Sequence, residues 1–359
     1  MDVAIIGTGP AAGAASAYLA NTGLKVVVLE QAELPRSKAC GGLVPMRTLD
    51  MLPLDVSDLV DHTVENRAYF CRHIQGETKH TPEAVLALVD RAKFDSTLIS
   101  RAISESRGDI HMQQGFRVSD VDETDASVQI RSASGQRVQA RYVIGADGAS
   151  SRTARCLGLN DRKINAVGID MEVSVTADCF RGYRDAVTFD YFCLPAGYGW
   201  VFPKSDNLLS VGVASWDKRA NCNAAMESYL SHAVDADERL CSNRSAHPIP
   251  VYNGAAHIAS QRVCLVGDAA SLVDPVTGEG IRFALHSGMI AATTICELLR
   301  GETEEAVSGE QCQLYQRRVY QMAATSLEPQ LRFASLPYRD APDFYYRKFV
   351  TGDATKAYL

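Results

Sequence analysis

The chain opens on Asp2-Val-Ala-Ile-Ile-Gly7-Thr-Gly9-Pro-Ala11-Ala12-Gly13, an apolar run that stops at a Gly-x-Gly. An Ala-rich segment with helical character follows from Pro10 to about Asn21, and a second apolar run, Lys25-Val-Val-Val-Leu29, ends in Glu30. Strand, helix and strand, with an acid 23 residues after Gly7, form the βαβ layout of a dinucleotide fingerprint. Parallel strands need a crossover, so this one unit already commits the chain to an α/β architecture. Gly7 permits the tight turn, and Gly9 lets the backbone approach a pyrophosphate. The first helical turn, with Ala11 and Ala12, offers free N–H groups and a partial positive charge. Ala12 stands where the third glycine of the pattern is usual. Glu30 is placed to accept hydrogen bonds from a ribose 2′-OH.

The first strand begins at residue 2, and no basic, apolar leader is read before it. No apolar run approaches the ~18 residues needed to cross a bilayer. The ten cysteines are scattered without a Cys-x-x-Cys pair, which suits reduced thiols in a cytoplasmic protein and predicts neither a disulfide frame nor a metal site. A net charge of −7 argues against nucleic acid as a partner, because such a partner needs a concentrated basic face. With 359 residues, 46% of them hydrophobic, the chain is long enough for two interleaved domains. Gly301–Gly309 reads as a solvated acidic loop between helices.

Two later segments indicate what kind of dinucleotide is held. Arg141-Tyr-Val-Ile-Gly145-Ala-Asp147-Gly148 is a short strand breaking into a Gly/Ser turn, and Arg262-Val-Cys-Leu-Val-Gly267-Asp268 is a strand ending in Gly-Asp. The second continues through Gly278-Glu279-Gly280-Ile281 into a helix of small residues. Asp268 suits a ribityl or ribose hydroxyl. Gly278 and Gly280 open the chain to a flat ring, and the helix that follows directs its positive end toward it.

These three segments together resemble the flavoprotein superfamily of aromatic hydroxylases, which carries FAD. Within it, Pro35-Arg-Ser-Lys38-Ala39-Cys40-Gly41-Gly42 and Leu194-Pro195-Ala-Gly-Tyr198-Gly-Trp200-Val-Phe202-Pro203 resemble the geranylgeranyl reductase family, over roughly residues 1–300. The resemblance implies a doubly wound parallel-sheet FAD-binding domain, an antiparallel-sheet substrate domain and a helical C-terminal part. It places Ala39 and Gly41 near the flavin, Gly42 at the substrate, and Arg91 against the ribityl-phosphate chain. Val118 falls where backbone groups hold adenine, and Asp268, Gly280 and Ile281 match the isoalloxazine end. The substrate is expected to be a small, apolar molecule. Electrons are expected from NAD(P)H or a reduced partner protein, and a peripheral membrane contact is compatible with the pattern.

On their own terms, Tyr198, Trp200 and Phe202 stand at i, i+2 and i+4, so a strand puts all three on one face. That face is either a substrate wall or ordinary sheet core. Cys40 is either a proton donor beside the flavin or a small residue that shapes the loop. Residues 1–160 (excluding about 71–83) and 258–305 are expected to build the FAD domain, with Val128–Ile130 and Arg137–Val143 as a hairpin excursion. Residues 161–257 are expected to hold antiparallel strands at Val167–Val175, Ala186–Phe192, Gly199–Pro203 and Leu208–Ser215, covered by a helix at about Asn223–Val234. Within 306–359, a helix is expected from Gln311 to about Thr325, followed by an irregular aromatic tail that includes Phe333, Tyr338, Phe344 and Phe349. The reaction remains open between reduction of an isoprenoid C=C, oxygenation of an aromatic or specialised metabolite, and FAD binding without turnover.

Overall fold

A computed structural model describes residues 1–161, 164–205, 207–254, 256–301 and 312–334. The acidic loop after Gly301 and the aromatic tail beyond Ala334 lie outside the described residues. A five-stranded, fully parallel sheet carries the opening motif at its centre. Its order is Val263–Leu265, Tyr142–Gly145, Val3–Ile6, Val26–Leu29 and Ile110–Gln113. Val3 pairs with Val26 on one side and with Tyr142 on the other. The chain therefore leaves the central strand in both directions, and the crevice at the strand ends is the place where such sheets bind ligands. Strands buried on both faces read as continuous apolar runs, as Val26–Leu29 does.

The first helix, Pro10–Leu19, is buried almost all round and crossed by two others. Small side chains make this packing feasible. A Cβ on Gly288, in the helix Ile281–Arg300, would overlap the Ala11 carbonyl, and a Cβ on Gly13 would lie 2.9 Å from Leu98 of the helix Arg91–Glu105. The helix-packing role of the fingerprint's third glycine therefore falls on Gly13, one residue after Ala12. Phe94, Leu98 and Ala102 are fully buried along one face of their helix, and each large side chain of that kind contributes about 1.5–3 kcal/mol.

A seven-stranded sheet stands opposite. Its order is Arg239–Val251, Ile164–Val175, Leu208–Ser215, Gly197–Pro203, Ala186–Tyr191, Asn66–Cys71 and Ile74–His80. Four of these strands lie where sequence patterning puts them. The last two come from the N-terminal part of the chain, and Asn66–Cys71 joins Ala186–Tyr191 in parallel, the one parallel pair in an otherwise antiparallel sheet. Arg239–Val251 also escapes the sequence reading. Its alternation Arg-Leu-Cys-Ser-Asn-Arg-Ser is polar because it forms a sheet edge.

The two faces of this sheet divide as the alternation requires. Val201, Val211 and Leu209 pack outward against Met226, Tyr229 and Leu230 of the covering helix Cys222–Ala233. Tyr198, Trp200 and Phe202 pack inward with Val187 and Tyr191. A three-stranded meander (Val118–Glu123, Val128–Ser132, Arg137–Ala140) and a small antiparallel sheet (Leu43–Pro45, Leu86–Leu88, His62–Val64) complete the β structure among the described residues. At the C-terminal end, helix Gln313–Ser326 is followed by a further helical segment, Glu328–Ala334, in a stretch read from sequence as irregular.

Candidate active site

A cavity of about 1310 Å³ runs between the parallel sheet and the seven-stranded sheet. It exceeds the ~300–1,000 Å³ of a typical single-ligand site, so it has room for a cofactor and a substrate together. Gly7, Gly9, Ala11, Glu30, Ala39, Cys40, Gly41, Gly42, Arg91 and Val118 line it, as do Tyr198, Trp200, Phe202, Asp268, Gly280 and Ile281. Of the residues singled out in the sequence, Ala12 alone does not. It is fully buried within the first helix, where its role is packing.

The dinucleotide end is built from backbone and from short side chains. Gly7 takes φ +102°, and a Cβ there would run into the Ala146 carbonyl. A Cβ on Gly9, by contrast, would meet nothing within 4 Å. No side chain caps the first helix, no acid stands in its first turn, and Pro10 takes the opening position. Its N–H groups therefore stay available to an anion. Glu30, at the end of the second strand, is buried. It accepts the Thr8 hydroxyl at 2.5 Å and the Ala32 N–H at 2.9 Å, with the Arg36 guanidinium 3.7 Å away. A carboxylate has about four acceptor sites, so capacity for a ribose hydroxyl remains. Asp147 is committed to the helix Arg152–Cys156, whose N–H groups at Arg152 and Thr153 it accepts at 2.7 and 2.9 Å.

Arg91 is not a surface residue. It opens the helix Arg91–Glu105 and forms a buried bidentate pair with Asp95, at 3.0 and 2.8 Å. Burial alone would weaken its charge, but Asp95 and the adjacent Cys40 raise its pKa above the ordinary value, so it is a permanent cation facing the cavity.

The Cys-Gly-Gly loop lies against the aromatic strand. A Cβ on Gly41 would sit 2.7 Å from the Phe202 ring and 3.3 Å from the Trp200 indole nitrogen. Gly42, at φ +74°, receives the Val89 N–H at 3.0 Å and donates its own N–H to the Cys40 sulfur at 3.4 Å. The Tyr198, Trp200 and Phe202 rings follow one another at 5.9 and 6.1 Å, and Phe189 and Tyr191 extend the wall. Tyr198 donates its hydroxyl to the Thr277 carbonyl at 2.5 Å and so ties the aromatic strand to the loop before Gly280.

Three groups around this wall are missed by sequence reasoning. Lys38 contacts the His247 imidazole, which lies 3.9 Å from the Asp268 carboxylate. Burial lowers the Lys38 ammonium below its usual range, with Asp268 partly opposing it. Burial also works to raise the Asp268 carboxyl, but His247, Lys38 and Arg91 overcome it and hold the carboxyl low. Behind Trp200, the indole N–H donates to Ser210 at 3.1 Å, and the Ser210 hydroxyl donates to Asp170 at 2.5 Å. Burial pushes Asp170 up to about 6 against the pull of Ser210 and Lys204. Lys38 lies within the quoted loop motif; His247 and Asp170 carry no local signal, each being one of several polar residues in a long strand.

Residues 1–308 match the FAD binding domain family. The chain belongs to that family. It is 30% identical over 311 residues to the chloroplastic geranylgeranyl diphosphate reductase of Oryza sativa subsp. japonica, covering 82% of this chain and 66% of that one. Menaquinone reductase of Mycobacterium tuberculosis is 28% identical, with 81% and 75% of the two chains covered. A geranylgeranyl bacteriochlorophyll reductase-like protein from Thermoplasma acidophilum shares the fold, with a TM-score of 0.74 at 22% identity over 99% of this chain and 89% of that one. The protein is an FAD-dependent oxidoreductase related to geranylgeranyl reductases. Uncapped helix N-terminus, open space at Gly9 and buried Glu30 all fit the cofactor. No described helix is long and apolar enough to cross a membrane.

Proposed function

We propose that the protein reduces isolated C=C bonds in the prenyl chain of an isoprenoid substrate. The supporting observation is the continuity of the cavity, in which the cofactor cradle leads past the Cys40–Gly42 loop directly into the aromatic wall of Tyr198, Trp200 and Phe202. Gly7, Gly9, Glu30, Arg91 and Asp268 hold the cofactor, which when bound and reduced supplies hydride. The aromatic wall holds the apolar chain and excludes water, so the alkene is oriented rather than activated. Cys40 Sγ–H delivers the proton to the alkene carbon that does not receive hydride. Electrons enter from NAD(P)H or a reduced partner protein, and a prenyl substrate brings the protein to a membrane surface peripherally.

The test uses the reduced holoenzyme under strict anaerobiosis with geranylgeranyl diphosphate as the alkene probe. The expected outcome is reoxidation of the flavin and a product heavier by two hydrogens per reduced bond. A product that forms only with O₂ and carries labelled oxygen would instead establish a monooxygenase and overturn the proposal.

A further inference from the structure

We propose that His73, Asp190 and His232 form a binding site for one divalent transition-metal ion of the zinc type, on the outer side of the seven-stranded sheet. The site is separate from the cavity and independent of the proposed reaction. One ligand atom from each of the three residues lies within 4.8 Å of the others. His73 Nδ1 is 2.7 Å from Asp190 Oδ2, and the two imidazole rings are 4.1 Å apart, centroid to centroid. Two ligands bound at ~2.0–2.1 Å to one tetrahedral ion stand about 3.3 Å apart, so small side-chain rotations are enough to close the site. Two imidazoles and a carboxylate match zinc, with water as the fourth ligand.

The three residues come from different elements: the turn between Asn66–Cys71 and Ile74–His80, the strand Ala186–Tyr191, and the helix Cys222–Ala233. That turn is unusual. Arg72 and His73 take φ +50° and +66°, both left-handed, where a two-residue hairpin favours Asn-Gly. Strain of this kind persists where the surroundings hold it in place. Here the conformation turns the His73 N–H onto both Asp190 oxygens, at 3.1 and 3.2 Å, and sets its ring beside His232. Asp190 is buried, whereas the His73 side chain is 35% exposed and His232 is exposed, so an ion enters from solvent. Coordination through His73 Nδ1 uses the neutral ring with its proton on Nε2, and binding changes no oxidation state. An ion here would fasten hairpin and helix to the back of the strand whose opposite face bears Phe189 and Tyr191.

The full-length, FAD-loaded protein is stripped with chelator and titrated with Zn²⁺, then with Co²⁺. The expected result is one saturable equivalent, an unfolding temperature that rises with Zn²⁺ concentration, and a tetrahedral Co²⁺ spectrum without the thiolate charge-transfer band of a cysteine site. His232→Ala, at an exposed position, and the isosteric Asp190→Asn should both abolish saturable binding while retaining bound FAD. Absence of saturable binding to the wild type, a thiolate band, or a His232→Ala protein that titrates like the wild type would each overturn the site.

Discussion

The two walls of the cavity are built on opposite packing principles. On the parallel-sheet side, backbones approach closely because Gly7, Ala11, Gly13 and Gly288 carry little or no side chain, and Gly7, Gly9 and Ala11 leave the cavity lined there by main-chain groups and small residues. On the seven-stranded side, bulk defines the surface. Five aromatic rings meet one another in tilted, edge-to-face or stacked contacts, and glycines make room for rings, as Gly212 does for the Trp200 indole and Gly41 for Phe202. Where its helices and strands cross, the first wall therefore tolerates almost no added volume, whereas at Gly9 it is open. The second trades volume against substrate.

The largest effect is expected within the first wall, from two glycines that differ only in surroundings. Gly288→Leu forces the helix Ile281–Arg300 away from the first helix and should cost about 3 kcal/mol, the upper end of overpacking, or prevent folding altogether. Gly9→Leu points into open space, so it should fold with a wild-type far-UV spectrum and emerge colourless. A Gly9→Leu protein that retains FAD would show that the pyrophosphate lies elsewhere.

The next effect belongs to the aromatic wall and depends on pH. Asp170 has a folded pKa of about 6 against an ordinary 3.8, so the fold favours its protonated form. Its contribution to stability is complete below about pH 4 and is lost as pH rises through 6, a change on the order of 3 kcal/mol. Asp170→Asn keeps the shape without ionising. Denaturant unfolding of the variant relative to wild type should therefore shift in the variant's favour between about pH 4 and pH 7. An unchanged difference across that range would mean that the carboxylate is better solvated than its burial implies.

The smallest changes are kinetic. Cys40→Ser should retain FAD yet lower kcat about 100-fold, the lower end for loss of a positioned general acid. Trp200→Ala should act mainly on KM, about tenfold, because it removes about 1.4 kcal/mol of binding that is the same in the ground and transition states. If Cys40→Ser turns over at the wild-type rate, the loop serves packing alone, and the Lys38–His247–Asp268 cluster becomes the place to look for the proton.

The sequence alone determined what local periodicity encodes. The βαβ unit, the acid at Glu30, the small-residue helix after Gly280 and the one-sided aromatic stripe Tyr198–Trp200–Phe202 were all legible, because turn glycines and a repeat of two or 3.6 act within a few residues. Tertiary structure decided whatever depended on strand pairing across long separations. Only the parallel joining of Asn66–Cys71 to Ala186–Tyr191 brings His73 to Asp190, 117 residues away in sequence. Only the packing of strand Arg239–Val251 beside Ile164–Val175 brings His247 to the cavity, where it meets Lys38 and Asp268. The seating of Gly41 on Phe202 and the burial of Asp170 behind Trp200 have the same origin. A single polar residue in a strand looks alike whether it faces solvent or a reactive site; its neighbours across the sheet decide its chemistry, and those neighbours are set by topology.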